Sequence, residues 1–382
     1  MVFGVFSCNR SLVDETTTKK GDSGAGSNAG GNAIVIDYDG GFQKADTAPI
    51  TGPTDDANCG VTSADMLREI PHMLIVLDRS GSMTGDITSA GFKACPTGTS
   101  CVTRWKAVTD AITSMLGTSQ ANVAWGLKFF ATPGGTVAQG GECHVASGPP
   151  EVPFSLPFDP SKISTNNDSI VQKISSATPT SATPTREAIK QAADYLLSLN
   201  LPNPKFILLA TDGEPNCATL GSQDLSPDLQ GAIDAVRVDA AGKGIPVFVV
   251  GISIATTSTT TLNYMAQAGG RGRQDPNLQF YPANDAASLA TAMQTIARSI
   301  IQCTFELVDV PPDPNFMGVY LDGNQVPKDP GNGWAYSPPT TAPTKKARVT
   351  LNGSYCDGLK DGKYKTFKVL FGCPGVPLPP IY

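Results

Sequence analysis

Charge is scarce in this chain of 382 residues: 16% are Asp, Glu, Lys or Arg, against about a quarter in ordinary globular proteins. The small surplus is acidic, a net charge of −6, and no basic stripe supplies the electrostatic footprint of a nucleic-acid binder. Histidine is nearly missing, with only His72 and His144, and the cysteines include no Cys-x-x-Cys pair, so the signature of a zinc site is absent. No stretch approaches the roughly 20 apolar residues of a membrane span. Hydrolase chemistry also lacks its parts. Ser80 lies in Arg79-Ser80-Gly81-Ser82 rather than in Gly-x-Ser-x-Gly, His72 falls at the amino end of an expected strand, and no acid is positioned to orient His144. Glu214 reads as a solvated acid or an outer partner of a site, and the chain is read as non-enzymatic. What the chain has in abundance is glycine and proline, 39 and 31 residues, which punctuate long loops.

The most informative stretch is Asp78-Arg79-Ser80-Gly81-Ser82, directly after the apolar run Met73-Leu74-Ile75-Val76-Leu77. Such a run, bounded by Pro71 and Gly81, reads as a buried parallel strand, and in open α/β sheets ligands sit beyond the carboxyl ends of the strands. A carboxylate and two hydroxyls at alternate positions of a tight turn can converge on one hard cation. On its own the pattern is weak. Two further segments follow it: Thr183-Pro184-Thr185-Arg186-Glu187-Ala188-Ile189, and Ala210-Thr211-Asp212-Gly213-Glu214 after the strand-like Phe206 to Leu209.

These three segments, in this order, resemble the DxSxS, TPTxxAI and TDG segments of von Willebrand factor A domains, over about residues 60 to 302. The resemblance implies a metal-ion-dependent adhesion site at Asp78, Ser80, Ser82, Thr183 and Asp212, with the hydroxyls binding directly and the aspartates partly through water. It implies Mg²⁺ or Mn²⁺ as the ion, and a protein or surface ligand whose exposed Asp or Glu completes the coordination. One register is ambiguous, because Ser176-Ala177-Thr178-Pro179-Thr180 repeats almost verbatim as Ser181 to Thr185, making Thr178 a rival to Thr183. Thr183 is preferred because the helical pattern Ala188, Ile189, Ala192, Ala193, Leu196, Leu197 follows only that copy. A structural protein with a stabilising metal, and a metal-dependent hydrolase, are the alternative functions.

Periodicity predicts helices at Trp105 to Leu116, about Ser169 to Ser176, Thr185 to Leu199, Pro227 to Lys243, Thr259 to Ala268 and Asp285 to Ile301. They alternate with strands at Val123 to Ala131, Lys205 to Ala210, Ile245 to Ile252 and Leu278 to Tyr281, and Val152 to Phe158 reads as a short antiparallel edge strand. This alternation gives an α/β class, a doubly wound, mainly parallel sheet. After Cys303 the pattern changes to short β-type runs, Thr304 to Val310, Met317 to Leu321, Ala347 to Leu351 and Thr366 to Phe371. They predict a small all-β module, joined by the strand-like Ala33 to Tyr38. The expected domains are therefore 1–58 as leader and tether, 59–302 as the A domain and 303–382 as the β-rich module.

Nine cysteines stand at positions 8, 59, 95, 101, 143, 217, 303, 356 and 373. With Cys8 set aside the rest number eight, which reads as four disulfides and an oxidising compartment. Cys95 and Cys101 bracket a five-residue loop, Cys143 and Cys217 lie on loops expected at one edge, and Cys356 and Cys373 share the last segment. Cys59 and Cys303 would flank the A domain as the terminal staples of secreted relatives do, restraining the last helix; the alternative pairs Cys303 within the C-terminal module. Val5-Phe6-Ser7-Cys8 loosely resembles a bacterial lipobox, and the Gly/Ser-rich tract Lys19 to Asn32 reads as a flexible tether. The alternative is a free thiol at Cys8. Together with Pro311-Pro312-Asp313-Pro314, Val319 to Gly323 and Phe371 to Pro374, these features resemble von Willebrand A-type surface lipoproteins of gliding deltaproteobacteria. That resemblance implies an exported monomer at the cell envelope, an outer-membrane lipoprotein touching the membrane only through a lipid on Cys8.

Overall fold

The computed structural model describes residues 70–96, 98–119, 122–133, 143–213, 215–217, 232, 234–238, 244–255, 259–311, 313–339, 346–364 and 366–372, with strand segments 34–37, 41–44, 62–63 and 66–67. The four segments are β1 (Ile34–Asp37), β2 (Gly41–Lys44), β3 (Thr62–Ser63) and β4 (Met66–Leu67). A five-stranded parallel sheet follows, made of β5 (His72–Asp78), β6 (Ala124–Phe130), β7 (Lys205–Thr211), β8 (Val247–Ile252) and β9 (Tyr281–Ala283) in the order β6-β5-β7-β8-β9. Its helices are α1 (Arg104–Ser119), α2 (Ile163–Ser176), α3 (Thr185–Ser198), α4 (Thr259–Ala268) and α5 (Ala286–Ile300).

The central strand shows why the sheet is covered on both faces. Every residue of β5 is buried, as a parallel strand without a polar alternation requires. Met73, Ile75 and Leu77 pack with Val108 and Ile112 of α1, Ile170 and Ile174 of α2, and Leu289, Met293 and Ile296 of α5. Leu74 and Val76 face the other way, against Ala188, Ile189, Ala192 and Leu196 of α3 and Leu262 and Met265 of α4. Asp285 starts α5 with a reciprocal cap: its carboxylate accepts from Ser288 N–H at 2.7 Å, and the Ser288 hydroxyl accepts from Asp285 N–H at 3.1 Å. Gly244 enters the turn before β8 at a φ of 112°, where a Cβ would meet the carbonyl oxygen of Arg237 at 2.8 Å.

Some expected elements differ. Val152 to Phe158 is not a regular strand; Val152 makes a single antiparallel bridge to Leu127, and Pro153 and Pro157 deny the segment two ladder donors. The last strand begins at Tyr281 rather than Leu278. Most of the helix expected at Pro227 to Lys243 lies outside the described residues.

Beyond α5 come β10 (Thr304–Leu307), β11 (Met317–Leu321), β12 (Asn324–Val326), β13 (Trp334–Ser337), β14 (Arg348–Leu351), α6 (Ser354–Lys360) and β15 (Thr366–Phe371). They form two antiparallel sheets, β12-β11-β15-β1-β2 with β3 also on β15, and β13-β14-β10-β4. Alternate residues of each point into a shared core: Phe305, Leu307, Val349 and Leu351 meet Val319, Leu321, Phe367 and Val369. The Phe305 and Phe367 rings lie 4.2 Å apart. All four strands before β5 pair into these sheets. The strand-like Ala33 to Tyr38 thus joins the β-rich module as β1, while 41–44 adds a further strand within the span expected as leader and tether, and 62–63 and 66–67 join the sheets of the C-terminal part rather than the parallel sheet. The helix α6 is an addition to the expected all-β module. Among the described residues no helix is long and apolar enough to cross a membrane.

The helix α6 also settles one cysteine. Cys303 is bonded to Cys356, 53 residues away with Cα atoms 5.6 Å apart, because the start of β10 lies beside α6 and Cys303 O accepts from Leu351 N–H at 2.8 Å. The Cys59 to Cys303 staple and the Cys356 to Cys373 pairing are therefore overturned, and with them the argument for a staple-restrained last helix. Cys8, Cys59 and Cys373 lie outside the described residues. Closing a loop of this size stabilises a fold by about 2–4 kcal/mol. Replacing Cys303 and Cys356 together by Ser should lower the unfolding free energy by that amount in denaturant titrations; an unchanged midpoint would show that the bond carries no stability.

His72 sets a second expectation. It is buried at the amino end of β5, its Nδ1–H donates to Ile70 O at 3.2 Å, and Phe154 and Phe158 lie edge-on at 5.0 and 4.5 Å. Burial pushes the imidazole down to about 4 from its ordinary 6.5. The unfolded chain consequently binds more protons between those values, so His72 withdraws stability as pH falls from about 6.5 to about 4. The loss amounts to up to about 3 kcal/mol. A His72→Gln variant should show a flatter stability profile across that window, and an identical slope would contradict this.

Candidate metal centre

Asp78 is the last residue of β5 and Asp212 the first after β7, and the two strands are parallel neighbours in register Leu77↔Ala210. Their carboxylates therefore meet at the carboxyl edge of the sheet. After Asp78 the chain turns through Ser80, extended, into the short 3-10 turn Gly81–Thr84. Asp78 Oδ1 accepts from Ser80 N–H at 2.7 Å, the Asx-type contact that favours Asp at the start of a turn. The other oxygen, Oδ2, accepts from the Thr211 hydroxyl at 2.6 Å. Ser80 Oγ and Ser82 Oγ are 2.9 Å apart, and Ser82 Oγ donates to Asp212 Oδ1 at 2.8 Å. Four expected site residues thus form one hydrogen-bonded chain. Asp78, Ser80 and Asp212 are buried, and Ser82 is half-buried.

Burial pushes the Asp78 carboxyl well above the usual carboxylate range, and the neighbouring Asp212 pushes it further, against the hydrogen bonds from Thr211 and Ser80. Burial raises Asp212 as well, opposed by the guanidinium of Arg104, whose Nη1 donates to Asp212 Oδ2 at 2.7 Å. Two carboxylates this close and this dry are costly when both are ionised, and a divalent cation between them would relieve that cost. The donors are oxygens throughout, two carboxylates and two hydroxyls, which suits Mg²⁺ or Mn²⁺ rather than a thiophilic ion. Among the described residues no group of three or more His, Cys, Asp or Glu gathers anywhere, so hydroxyls supply the remainder of this donor set.

The second segment reaches the site through the backbone. Ser181 O accepts from Gly81 N–H at 3.0 Å, and Arg79 O from Thr180 N–H at 2.7 Å. Thr183 is buried two residues before α3, and Asn216 holds it from both sides: the Asn216 amide oxygen accepts from Thr183 N–H at 2.7 Å, and Asn216 N–H donates to Thr183 O at 3.3 Å. Thr178, the rival from the repeat, is exposed. Glu214 lies outside the described residues.

Two disulfides flank the loops. Cys95 is bonded to Cys101 and Cys143 to Cys217, each with Cα atoms 5.5 Å apart; the second bond joins the residue after Asn216 to the segment beyond β6. Periodicity did not pick out Arg104, Thr211 or Asn216. For Arg104 one signal existed, since a cation in the first turn of a helix opposes the helix dipole and needs a partner elsewhere. Thr211 stands inside the Thr-Asp-Gly segment, which marks it, whereas Asn216 carries no comparable mark.

The family model described as von Willebrand factor type A domain matches residues 150–295, a span that includes Thr183 and Asp212 but begins after Asp78. Similar solved structures include the pilus adhesin SpaC from Lactobacillus rhamnosus GG in its open conformation, at 14% identity and a TM-score of 0.46, covering 81% of this chain and 39% of that one. The PilB minor pilin from Streptococcus sanguinis is 16% identical with a TM-score of 0.44, covering 68% of this chain and 63% of its own. Manganese-loaded TRAP protein of Plasmodium vivax is 14% identical with a TM-score of 0.38, covering 75% and 95%. The chain spans less than two thirds of the length of the two bacterial proteins. None of the curated proteins matches the chain. The chain thus carries the fold of a von Willebrand factor type A domain, a parallel sheet wound with helices on both faces, and its residues 150–295 match the model of that family.

Proposed function

We propose that this chain is an exported, cell-surface binding module in which Asp78, Ser80, Ser82, Thr183 and Asp212 hold Mg²⁺ or Mn²⁺ and a carboxylate of a partner protein or surface completes the site. The single observation that carries this reading is the hydrogen-bonded chain Thr211, Asp78, Ser80, Ser82, Asp212 across two adjacent strand ends. When bound, the ion supplies a Lewis-acidic position that an anionic oxygen can fill. The protein's part is to gather hard oxygens, keep Asp78 and Asp212 dry, and fix the Thr183 backbone through Asn216. Few direct carboxylates leave the ion electron-poor, so an anionic ligand gains more. The site is read as binding rather than catalytic because the Ser80 hydroxyl meets Ser82 and the Asp78 carboxylate, both of them proposed metal ligands.

Among the described residues, three disulfides support an oxidising compartment. The proposed anchor is a lipid on Cys8, with the protein a monomer at the outer envelope; detergent phase separation of the protein expressed with an upstream leader tests it, and a Cys8→Ser protein that partitions like the parent would remove it. The competing reading is an envelope protein whose metal only stabilises the fold. The lacing of all three loops by backbone bonds favours it. It predicts that metal raises the melting temperature while chelator leaves partner capture from the producing cell's envelope unchanged.

Calorimetric titration with MgCl₂ or MnCl₂ should show one saturable site in the parent and none in Asp78→Ala. Thr183→Ala should weaken it by at least the roughly tenfold that loss of an outer partner costs, and Thr178→Ala should leave it unchanged. Absence of saturable binding in the parent would overturn the reading, and the reverse order of the two threonines would move the ligand to Thr178.

A further inference from the structure

Arg104 is out of place by local rules. It opens α1, where the helix dipole repels a cation, yet its side chain is 2% exposed. Three acceptors hold it there. Nη1 donates to Asp212 Oδ2 at 2.7 Å, and Nη2 donates to the carbonyls of Ser89, at 2.9 Å, and Gly91. Both carbonyls belong to the loop between the serine turn and α1. That loop is bridged at Gly85↔Ala94 and Asp86↔Thr103, is closed by the Cys95–Cys101 bond, and is pinned by the Ser253 hydroxyl on Ile87 O. Asp212 is thereby divided: Oδ1 faces Ser82 and the site, and Oδ2 belongs to Arg104.

We infer that Arg104 is a resident cation of the metal centre, neutralising Asp212 when no ion is bound and sharing that carboxylate with the ion when one is. This rests on the metal reading of the site. Among the described residues the buried charged groups there are Asp78, Asp212 and Arg104. With both carboxylates ionised around a bound ion their sum is one negative charge, which the divalent ion turns into one positive charge. A partner's single carboxylate brings the cluster to neutrality, so the guanidinium makes the loaded centre selective for a monoanionic group. It also sets a ceiling on metal affinity, because the ion enters beside a fixed positive charge.

A role limited to packing makes the opposite prediction, since disruption at a site weakens what the site holds. Arg104→Met should bind Mg²⁺ and Mn²⁺ more tightly than the parent, by about tenfold in calorimetric Kd, while Arg104→Lys stays near the parent value. Acetate, used as the probe carboxylate and read by water-proton relaxation of the Mn²⁺-loaded protein, should bind Arg104→Met more weakly than the parent. In chelator, Arg104→Met should unfold at lower denaturant than the parent, and Arg104→Met with Asp212→Asn should recover most of that loss. Rescue of a single variant that does not fold is the same result in stronger form. Unchanged or weaker metal binding by Arg104→Met, unchanged acetate binding, or no recovery in the double variant would overturn the inference. Absence of metal binding by the parent would instead refute the metal reading, and the chelator measurements would still decide whether Arg104 neutralises Asp212.

Discussion

Two carboxylates that would each be unwelcome inside a protein stand at the ends of adjacent parallel strands, and the organisation of the loops follows from keeping them there. Asp78 and Asp212 are fixed by register, since β5 and β7 are hydrogen-bonded neighbours whose carboxyl ends coincide. The ends are dry because β5 and β7 are packed on both faces by helices. Each acid then satisfies its oxygens locally: Asp78 from Ser80 N–H and Thr211, Asp212 from Ser82 and Arg104. Half-satisfied polar clusters in a low-dielectric interior are unstable, so the surrounding loops are laced to hold these partners in place, through Gly81 to Ser181 and Thr183 to Asn216.

The C-terminal part has a separate logic. Its strands are short, and neither of its sheets is complete without residues that precede β5. Chain closure over several hundred residues is entropically tolerable because loop cost grows only slowly with length, and the Phe305 and Phe367 contact gives the two sheets a common core. This part touches the A domain where the Asn122 amide donates to Leu359 O at 3.3 Å and where Arg298 of α5 pairs with Asp361 after α6. The last helix of the A domain is thus joined to the β module by an ion pair and by the short connection into β10, rather than by a disulfide to the segment before β5.

Much of this was legible because the relevant signals are local. The apolar run ahead of Asp78 and the periodic Ala188, Ile189, Ala192, Leu196 stripe state their own burial, and strand-end position follows from them. What was not legible depends on partners remote in sequence. Arg104 shows in sequence at most that a cation beside a helix start needs a partner, and that partner, Asp212, stands 108 residues later. The segments 41–44, 62–63 and 66–67 are too short to declare themselves as strands. Cys303 offered two pairings of similar appeal, and only the placement of α6, a short helix whose Gly358 and lack of a long apolar stripe hide it, decides for Cys356.

The central claim is that hard oxygens at the ends of β5 and β7 hold a divalent ion. Diffraction from crystals grown with MnCl₂, with anomalous data collected at the manganese edge, tests it most directly. The account predicts one strong peak within coordinating distance of Ser80 and Ser82, beside Asp78 and Asp212, that disappears in Asp78→Ala crystals. A map with no peak there at saturating manganese, or with the ion bound elsewhere on the chain, would contradict it.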